Sequence, residues 1–365
     1  MMYSEGVDVV ATSKPVGIAI IGSGGIAQAV HLPAYEKLRD EGKIDIVAVA
    51  DINEATAKTV AKKYQIPQVF TDYHDLLGLD AVDAVDICTP NYVHMQPTVD
   101  AFAAGKHVLV EKPIALNAVQ GAAMVDAGKK AGKILQVGLN TRFSGAPQAM
   151  KRFIESGKLG EVYYARAHAL RRRGVPTWGV FTDKAKQGGG PLIDIGVHIL
   201  DLTLWLMGYP EPHSVSGQSY RKFGNRSGIF NNWGPWDPEN FTVEDFAVGQ
   251  IKFKNGATVT LEASFVANIA KEEFSTNLFG TEGGILLDLH DNNNNRIYRE
   301  EEGTLTDTLF PTLPGGSSHE GEIRAFVQSI VDSVPSQVPG EQGVMVSQIL
   351  DAIYASSEAG KEIIF

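Results

Sequence analysis

Val16-Gly-Ile-Ala-Ile-Ile21, followed by Gly22-Ser-Gly24-Gly25-Ile26-Ala27, decides the fold of this chain. The first six residues are a short apolar run rich in β-branched side chains, the pattern of a strand buried on both faces of a parallel sheet. The next six are a G-x-G-x-x-A turn. A helical repeat follows, with Ile26, Val30, Leu32, Tyr35 and Leu38. Strand, glycine turn and helix in this order make the dinucleotide-binding fingerprint. Its glycines permit the tight turn and let the backbone approach a pyrophosphate at the helix N-terminus. Gly22, Ser23, Gly24, Gly25 and Ile26 are therefore candidate cofactor residues. The next apolar run, Ile44 to Ala50, reads as a strand ending in Asp51, where a carboxylate can hydrogen-bond the ribose hydroxyls of an adenosine. Ile52, Asn53 and Glu54 follow, so no arginine stands ready for a 2′-phosphate and the local charge repels one. NAD is expected over NADP.

Outward from this unit, strand patterns at Gln68–Phe70, Asp83–Cys88, Val108–Val110 and Ile134–Val137 alternate with helical patterns at Glu54–Tyr64, Met95–Ala104 and Ala118–Lys130. That alternation predicts a doubly wound parallel sheet of the Rossmann kind over residues 14–138. Ligands bind at the carboxyl ends of such strands. Two clusters fall there: Thr89-Pro90-Asn91 with His94, and Glu111-Lys112-Pro113. Lys112, held out of the helical region by the proline after it, could place its ammonium near a reacting hydroxyl; an ordinary surface lysine is the alternative. Asn140 and Arg142, just past the last strand, are candidates to reach the same cleft.

Residues 139–365 form the expected second domain. It opens with a helix at Pro147–Ser156 and a strand at Val162–Leu170. Then comes Gly188-Gly-Gly-Pro-Leu-Ile-Asp-Ile-Gly-Val-His198. Pro191 suits the first position of a helix, and Leu192–Met207 repeats apolar residues at helical spacing. Asp194 and His198 are thus expected one turn apart on one face. A carboxylate beside an imidazole makes a proton-transfer group that works near neutral pH. Read alone, the pair is also an ordinary i,i+4 contact. A shared metal lacks a third clustered ligand, so no metal is expected. From His213 onward strands dominate. Ala247–Phe253 and Thr258–Phe265 read as a hairpin about Asn255-Gly256, and Asn268–Gly280 with Ile285–Leu289 as the next pair. A mainly antiparallel open sheet follows, so the class is α/β with an α+β second domain. Asp291–Asn295 reads as a solvent turn. Residues 223–244, rich in Gly, Asn, Pro and Trp, read as a long surface loop, a lid or a subunit contact.

Taken together, these motifs resemble the Gfo/Idh/MocA family, the glucose-fructose oxidoreductase and inositol dehydrogenase group. The matching residues are Gly22–Ala27, Asp51, Thr89-Pro90-Asn91 with His94, Glu111-Lys112-Pro113, and Asp194 to His198, in the family's order and spacing. The tail Glu320–Phe365 fits the family's closing helices. The resemblance implies NAD(P)-linked oxidation of a sugar or polyol hydroxyl, with Lys112, Asp194 and His198 as the catalytic set. It implies cofactor contacts from the first three motifs together with Glu111 and Lys112. It also puts a tryptophan, here Trp178, at the sugar site, and implies homodimers or homotetramers through the second domain's sheet. The chemistry agrees. A nicotinamide takes the hydride, His198 can take the hydroxyl proton, Asp194 can orient the hydroxyl or favour the imidazolium, and Lys112 can stabilise alkoxide charge. Two alternatives share the site: a glycosidase or epimerase that retains NAD through a keto intermediate, and a sugar sensor that has lost catalysis.

Composition limits the rest. With 32 basic and 43 acidic residues and a net charge of −11, the chain is a poor nucleic-acid binder. Its local basic cluster, Arg171-Arg-Arg173, leads into the Trp178 segment and is expected to line the cleft. One cysteine, Cys88, allows no intrachain disulfide and suits a reducing compartment, so a cytoplasmic location is expected. Met1–Ser13 reads as a disordered lead without signal-peptide character. No apolar stretch approaches the ~20 residues of a membrane span.

Overall fold

The computed structural model describes residues 14–310, 313 and 315–365; the expected lead at 1–13 lies outside the described residues. Six parallel strands form the first sheet: β1 (Val16–Ile21), β2 (Ile44–Ala50), β3 (Gln68–Phe70), β4 (Ala84–Ile87), β5 (His107–Glu111) and β6 (Leu135–Gly138), in the order β3-β2-β1-β4-β5-β6. All six residues of β1 are buried, which is why its apolar run is unbroken. The strand order reverses between β1 and β4, and the crevice there brings Gly22 against the backbone of Cys88 and Thr89.

Nine strands form the second sheet: β7 (Val162–Leu170), β8 (Pro212–Tyr220), β9 (Phe246–Phe253), β10 (Thr258–Ser264), β11 (Glu273–Gly280), β12 (Gly283–Asp288), β13 (Arg296–Glu301), β14 (Thr304–Leu309) and β15 (Ile363–Ile364). The order is β14-β13-β12-β11-β7-β10-β9-β8-β15, antiparallel except for the parallel pair β7–β10. The Asn255-Gly256 hairpin joins β9 to β10, pairing Ile251 with Val259. β11 begins at Glu273, later than its sequence suggested, and β13 and β14 extend the sheet beyond the expected pairs. Both added strands are polar and largely exposed, so they carry little apolar signal. Asn295 is buried and accepts the Asp288 N–H at 2.7 Å, so the Asp291–Asn295 turn is a packed corner rather than a purely solvent-facing one.

β7 presents Ala165, Ala167 and Ala169, all fully buried. These small side chains leave room for the helix Val197–Leu206, which buries Leu200, Leu202 and Leu204. The run Lys184–Leu206 is long and apolar enough by composition to cross a bilayer, contrary to the sequence reading, but 89% of its apolar window is buried inside the protein, as in a core helix. The closing helices Ser318–Asp332 and Gly340–Ala359 form as expected. The first returns to the Rossmann unit, packing Ile323 and Phe326 into the β1–β2 core and bringing His319 to the cleft.

Candidate active site

The cleft between the sheets holds a cavity of about 390 Å³ lined by Lys112, Asp194, His198, Arg171 and His319, with Glu272, Glu273 and His290 on its far wall. Lys112 arrives from the end of β5, and its peptide to Pro113 is cis. Its Nζ donates to Asp194 Oδ1 at 3.0 Å and to the Asp194 carbonyl at 2.9 Å. Asp194 and His198 come from the expected helix, whose first turn, Leu192–Gly196, is π-helical. The turn is anchored at its start by Glu244, which accepts the N–H groups of Gly190 and Leu192 at 2.9 and 3.1 Å. A Cβ at Gly190 would lie 2.2 Å from the Glu244 carbonyl, so the glycine run allows this close approach.

Asp194 is not hydrogen-bonded to His198, which corrects the expected carboxylate–imidazole pair. Its carboxylate is taken by Lys112 and, at 3.4 Å, by Arg171. Burial alone would raise the Asp194 pKa, but the Lys112 and Arg171 charges hold it below the ordinary carboxylate value. Burial, with the Lys112 charge beside it, pushes His198 down to about 3. Its buried Nδ1 has no hydrogen-bond partner. The ring is therefore a neutral acceptor far below its free pKa. The expected consequence is a kcat/KM profile flat from about pH 5 to 7, because the acceptor form persists down to the depressed pKa. A limb centred near pH 6.5 that disappears in His198→Asn would contradict this.

The nucleotide end fits NAD. Gly22 has φ +90°, and a Cβ there would press on the Cys88 and Thr89 backbone at 3.0 Å. Gly24 and Gly25 face open space, leaving their backbone free to meet a pyrophosphate. Asp51 Oδ2 accepts Ser23 N–H and Oγ–H, each at 2.8 Å, tying the acidic strand end to the glycine turn. A cavity of about 360 Å³ is lined by Gly22, Gly24, Asp51, Thr89 and Pro90, with Tyr73 and Tyr92, and among the described residues no cationic side chain lines it. Thr89 Oγ1 is buried without a partner, one polar atom left for a ligand. Ile26 lines the Lys112 cavity instead.

Other expected residues are placed differently. Both His94 nitrogens lie 2.8 Å from backbone carbonyls, of Pro113 and Thr89, so its ring fastens two loops together. The Asn91 amide donates to the Gln187 carbonyl at 2.9 Å, bridging to the second domain. The Glu111 carboxylate turns inward, to His31 at 2.8 Å and the Lys112 N–H at 3.0 Å. Arg142 is only 1% exposed, spends its guanidinium on Asp201, Gln342 and Tyr209, and does not line the cavity. Trp178 is exposed and does not line the cavity; it stands edge-on to Trp233 at 5.2 Å, and Trp233 in turn covers the Arg171 guanidinium at 5.1 Å. The 223–244 loop thereby reaches Arg171, a residue of the cavity wall. Of the basic cluster, Arg171 lines the cavity, whereas Arg173 bonds Ala267 and Asn268. Sequence reading missed His319, Glu272, Glu273 and His290. None belongs to a motif, and their placement at a strand end, in a turn and on a returning helix comes from long-range packing.

Residues 16–139 match the model described as an oxidoreductase family, NAD-binding Rossmann fold, and residues 151–364 match its C-terminal alpha/beta domain. D-glucoside 3-dehydrogenase of Escherichia coli (strain K12) is 36% identical over 354 residues, covering 96% of this chain and 98% of the relative. An oxidoreductase domain protein from Kribbella flavida is similar in structure, with a TM-score of 0.84 at 26% identity over 96% of this chain and 99% of that one. Levoglucosan dehydrogenase, solved with NADH and levoglucosan, shares the fold at a TM-score of 0.83 and 23% identity, over 96% of this chain and 99% of that one. The motif order read from the sequence and both matched domains lead to one assignment: the chain belongs to the Gfo/Idh/MocA oxidoreductase family.

Proposed function

We propose that this protein is an NAD-dependent dehydrogenase oxidising a hydroxyl of a neutral sugar, glycoside or polyol, with Lys112, Asp194 and His198 as its catalytic residues. The observation that carries the reading is the convergence of Lys112 Nζ and Asp194 Oδ1, 3.0 Å apart, with the neutral His198 in one cavity at the end of β5. Bound nicotinamide supplies the hydride acceptor. The Lys112 ammonium donates to the sugar oxygen and stabilises its developing negative charge. His198 holds a neutral nitrogen for the hydroxyl proton, and the Asp194 carboxylate fixes the ammonium and favours the imidazolium once formed. Similarity to a D-glucoside 3-dehydrogenase supports a sugar substrate. Trp178 is proposed to stack on a sugar ring or its substituent.

The test is NADH formation followed by absorbance across glucosides, aldoses, inositols and sugar acids, with NAD and NADP in parallel. A clear rate on a neutral sugar or polyol class with NAD is expected. No rate on any of them, despite NAD binding, would turn the reading toward retained-cofactor chemistry. Replacing Asp51 by alanine should raise KM for NAD by roughly tenfold while narrowing the NAD preference, since one charge-assisted hydrogen-bonding group is lost and repulsion of the 2′-phosphate is relieved. An unchanged NAD/NADP ratio would remove Asp51 as the discriminator.

Assembly and location belong to the same proposal. The second sheet exposes Tyr298, Leu305 and Leu309 on one face, apolar side chains that a second copy would cover. A homodimer or homotetramer through this face is expected by light scattering, and a monomer at micromolar concentration would refute it. The single buried thiol suits the cytoplasm; recovery of the enzyme outside the soluble cell fraction would refute that.

A further inference from the structure

Beneath the catalytic lysine lies a charged cluster that the proposed chemistry does not use. His31 closes the π-helical turn Ala27–His31, directly after the glycine loop, and is fully buried. Its Nδ1 lies 2.7 Å from Asp86 Oδ2 in β4, and its Nε2 lies 2.8 Å from Glu111 Oε1 at the end of β5. Ionised carboxylates only accept, so a ring bonded to two of them donates from both nitrogens and is an imidazolium. Burial is the largest influence and opposes that charge, but the charge and hydrogen bond of Asp86 together with the neighbouring Cys88 outweigh it, and the His31 pKa rises. On Glu111, burial is likewise opposed and outweighed, by the bond and charge of His31 together with the Lys112 charge, and the carboxyl is held at about 2. Its second oxygen, Oε2, accepts the backbone N–H of Lys112 at 3.0 Å. β6 closes the far side: a Cβ at Gly138 would lie 3.1 Å from Glu111 Cα and 3.3 Å from its carboxylate.

We propose that His31 is a positioning residue for Lys112: clamped by Asp86, it holds the Glu111 carboxylate that fixes the Lys112 backbone, and so ties the nucleotide-binding turn to the catalytic ammonium. The proposal rests on the reading of Lys112 as catalytic. A stability role alone would not require the last link, from Glu111 to the Lys112 N–H. The other titratable groups facing His31 are Cys88, Tyr35, Glu322 and His319. Burial pushes Cys88 up to about 12, raises Tyr35 and Glu322, and lowers His319. In all four burial disfavours the charged form, and the carboxylates on both ring nitrogens make His31 the cation between Asp86 and Glu111.

Two amides separate the links. In His31→Asn the amide nitrogen replaces Nδ1 and reaches Asp86 alone; in His31→Gln it replaces Nε2 and reaches Glu111 alone. Both are measured in the full chain for kcat, for KM of NAD and of sugar, and for the rate at which acetic anhydride labels Lys112 relative to exposed Lys58, read by peptide mass spectrometry. Misplacement of a catalytic group by about 1 Å costs up to about 100-fold. His31→Asn should therefore lose about 10- to 100-fold in kcat, keep KM for NAD within about threefold, and label Lys112 several-fold faster. His31→Gln should recover most of that loss. Equal losses in both variants with unchanged Lys112 labelling would overturn the proposal. If His31→Asn does not fold, Glu111→Gln serves instead, since its amide cannot accept from both His31 and Lys112; unchanged Lys112 labelling there also overturns it. Faster labelling in a protein whose wild type oxidises no sugar would retire the dehydrogenase reading and leave the positioning intact.

Discussion

Replacing Lys112 by methionine lowers kcat by about three powers of ten while NADH binding, measured by fluorescence titration, changes only a few-fold. Methionine keeps most of the apolar stem and removes the ammonium. Loss of one preorganised donor at developing oxyanion charge costs about 10²–10³ in kcat. Here the same charge also pairs Asp194, and its removal leaves that buried carboxylate with Arg171 alone at 3.4 Å. The Asp194 pKa should then rise, so part of the loss should be regained as pH increases and Asp194 ionises. The nucleotide cavity is lined by residues other than Lys112, which is why cofactor affinity is spared. A variant retaining more than a tenth of the wild-type kcat would remove Lys112 from the catalytic set.

Arg142→Met should destabilise the protein by about 3–5 kcal/mol, the usual cost of breaking a buried ion pair by removing one partner. Arg142 donates to Asp201 from Nε at 2.8 Å and to Gln342 from Nη1 at 2.6 Å. It joins the strand exit at β6 to the active-site helix and to the closing helix Gly340–Ala359. The charge left behind is Asp201, fully buried. Pairing Arg142→Met with Asp201→Leu removes that charge and should recover most of the stability in denaturant melts. At temperatures where the single variant stays folded, KM for the sugar should match wild type. A raised sugar KM at unchanged stability would restore the sequence reading of Arg142 as a substrate contact. Its sequence position, four residues past the end of β6, is the same under either reading; only the partner differs.

Legibility follows distance along the chain. β1, the glycine turn, Asp51, the Asn255-Gly256 hairpin and the helix Glu54–Tyr64 are written in local periodicity and turn chemistry, and the structure reproduces them within a residue or so. Lys112 and Asp194 were legible as candidates because each sits in a short motif at an element end. Their mutual contact was not, since it spans 82 residues. The i,i+4 spacing of Asp194 and His198 suggested a partnership that the π-helical first turn and two nearby cations redirected. β14 went unread because its residues are mostly exposed and it is held by pairing with β13.

The sequence by itself determined the parallel nucleotide-binding sheet, the acidic strand end at Asp51, and which side chains could do proton chemistry, because spacing of apolar residues and glycines acts over a few residues. Only the tertiary structure decided the state and task of each charge. Burial and neighbouring cations turned His198 into a neutral acceptor, and two carboxylates 55 and 80 residues away made His31 a cation. Asp201 took Arg142 out of the cleft. The physical reason is that desolvation and Coulomb energy depend on which groups meet in a low-dielectric interior, and that meeting is set by packing across the whole chain.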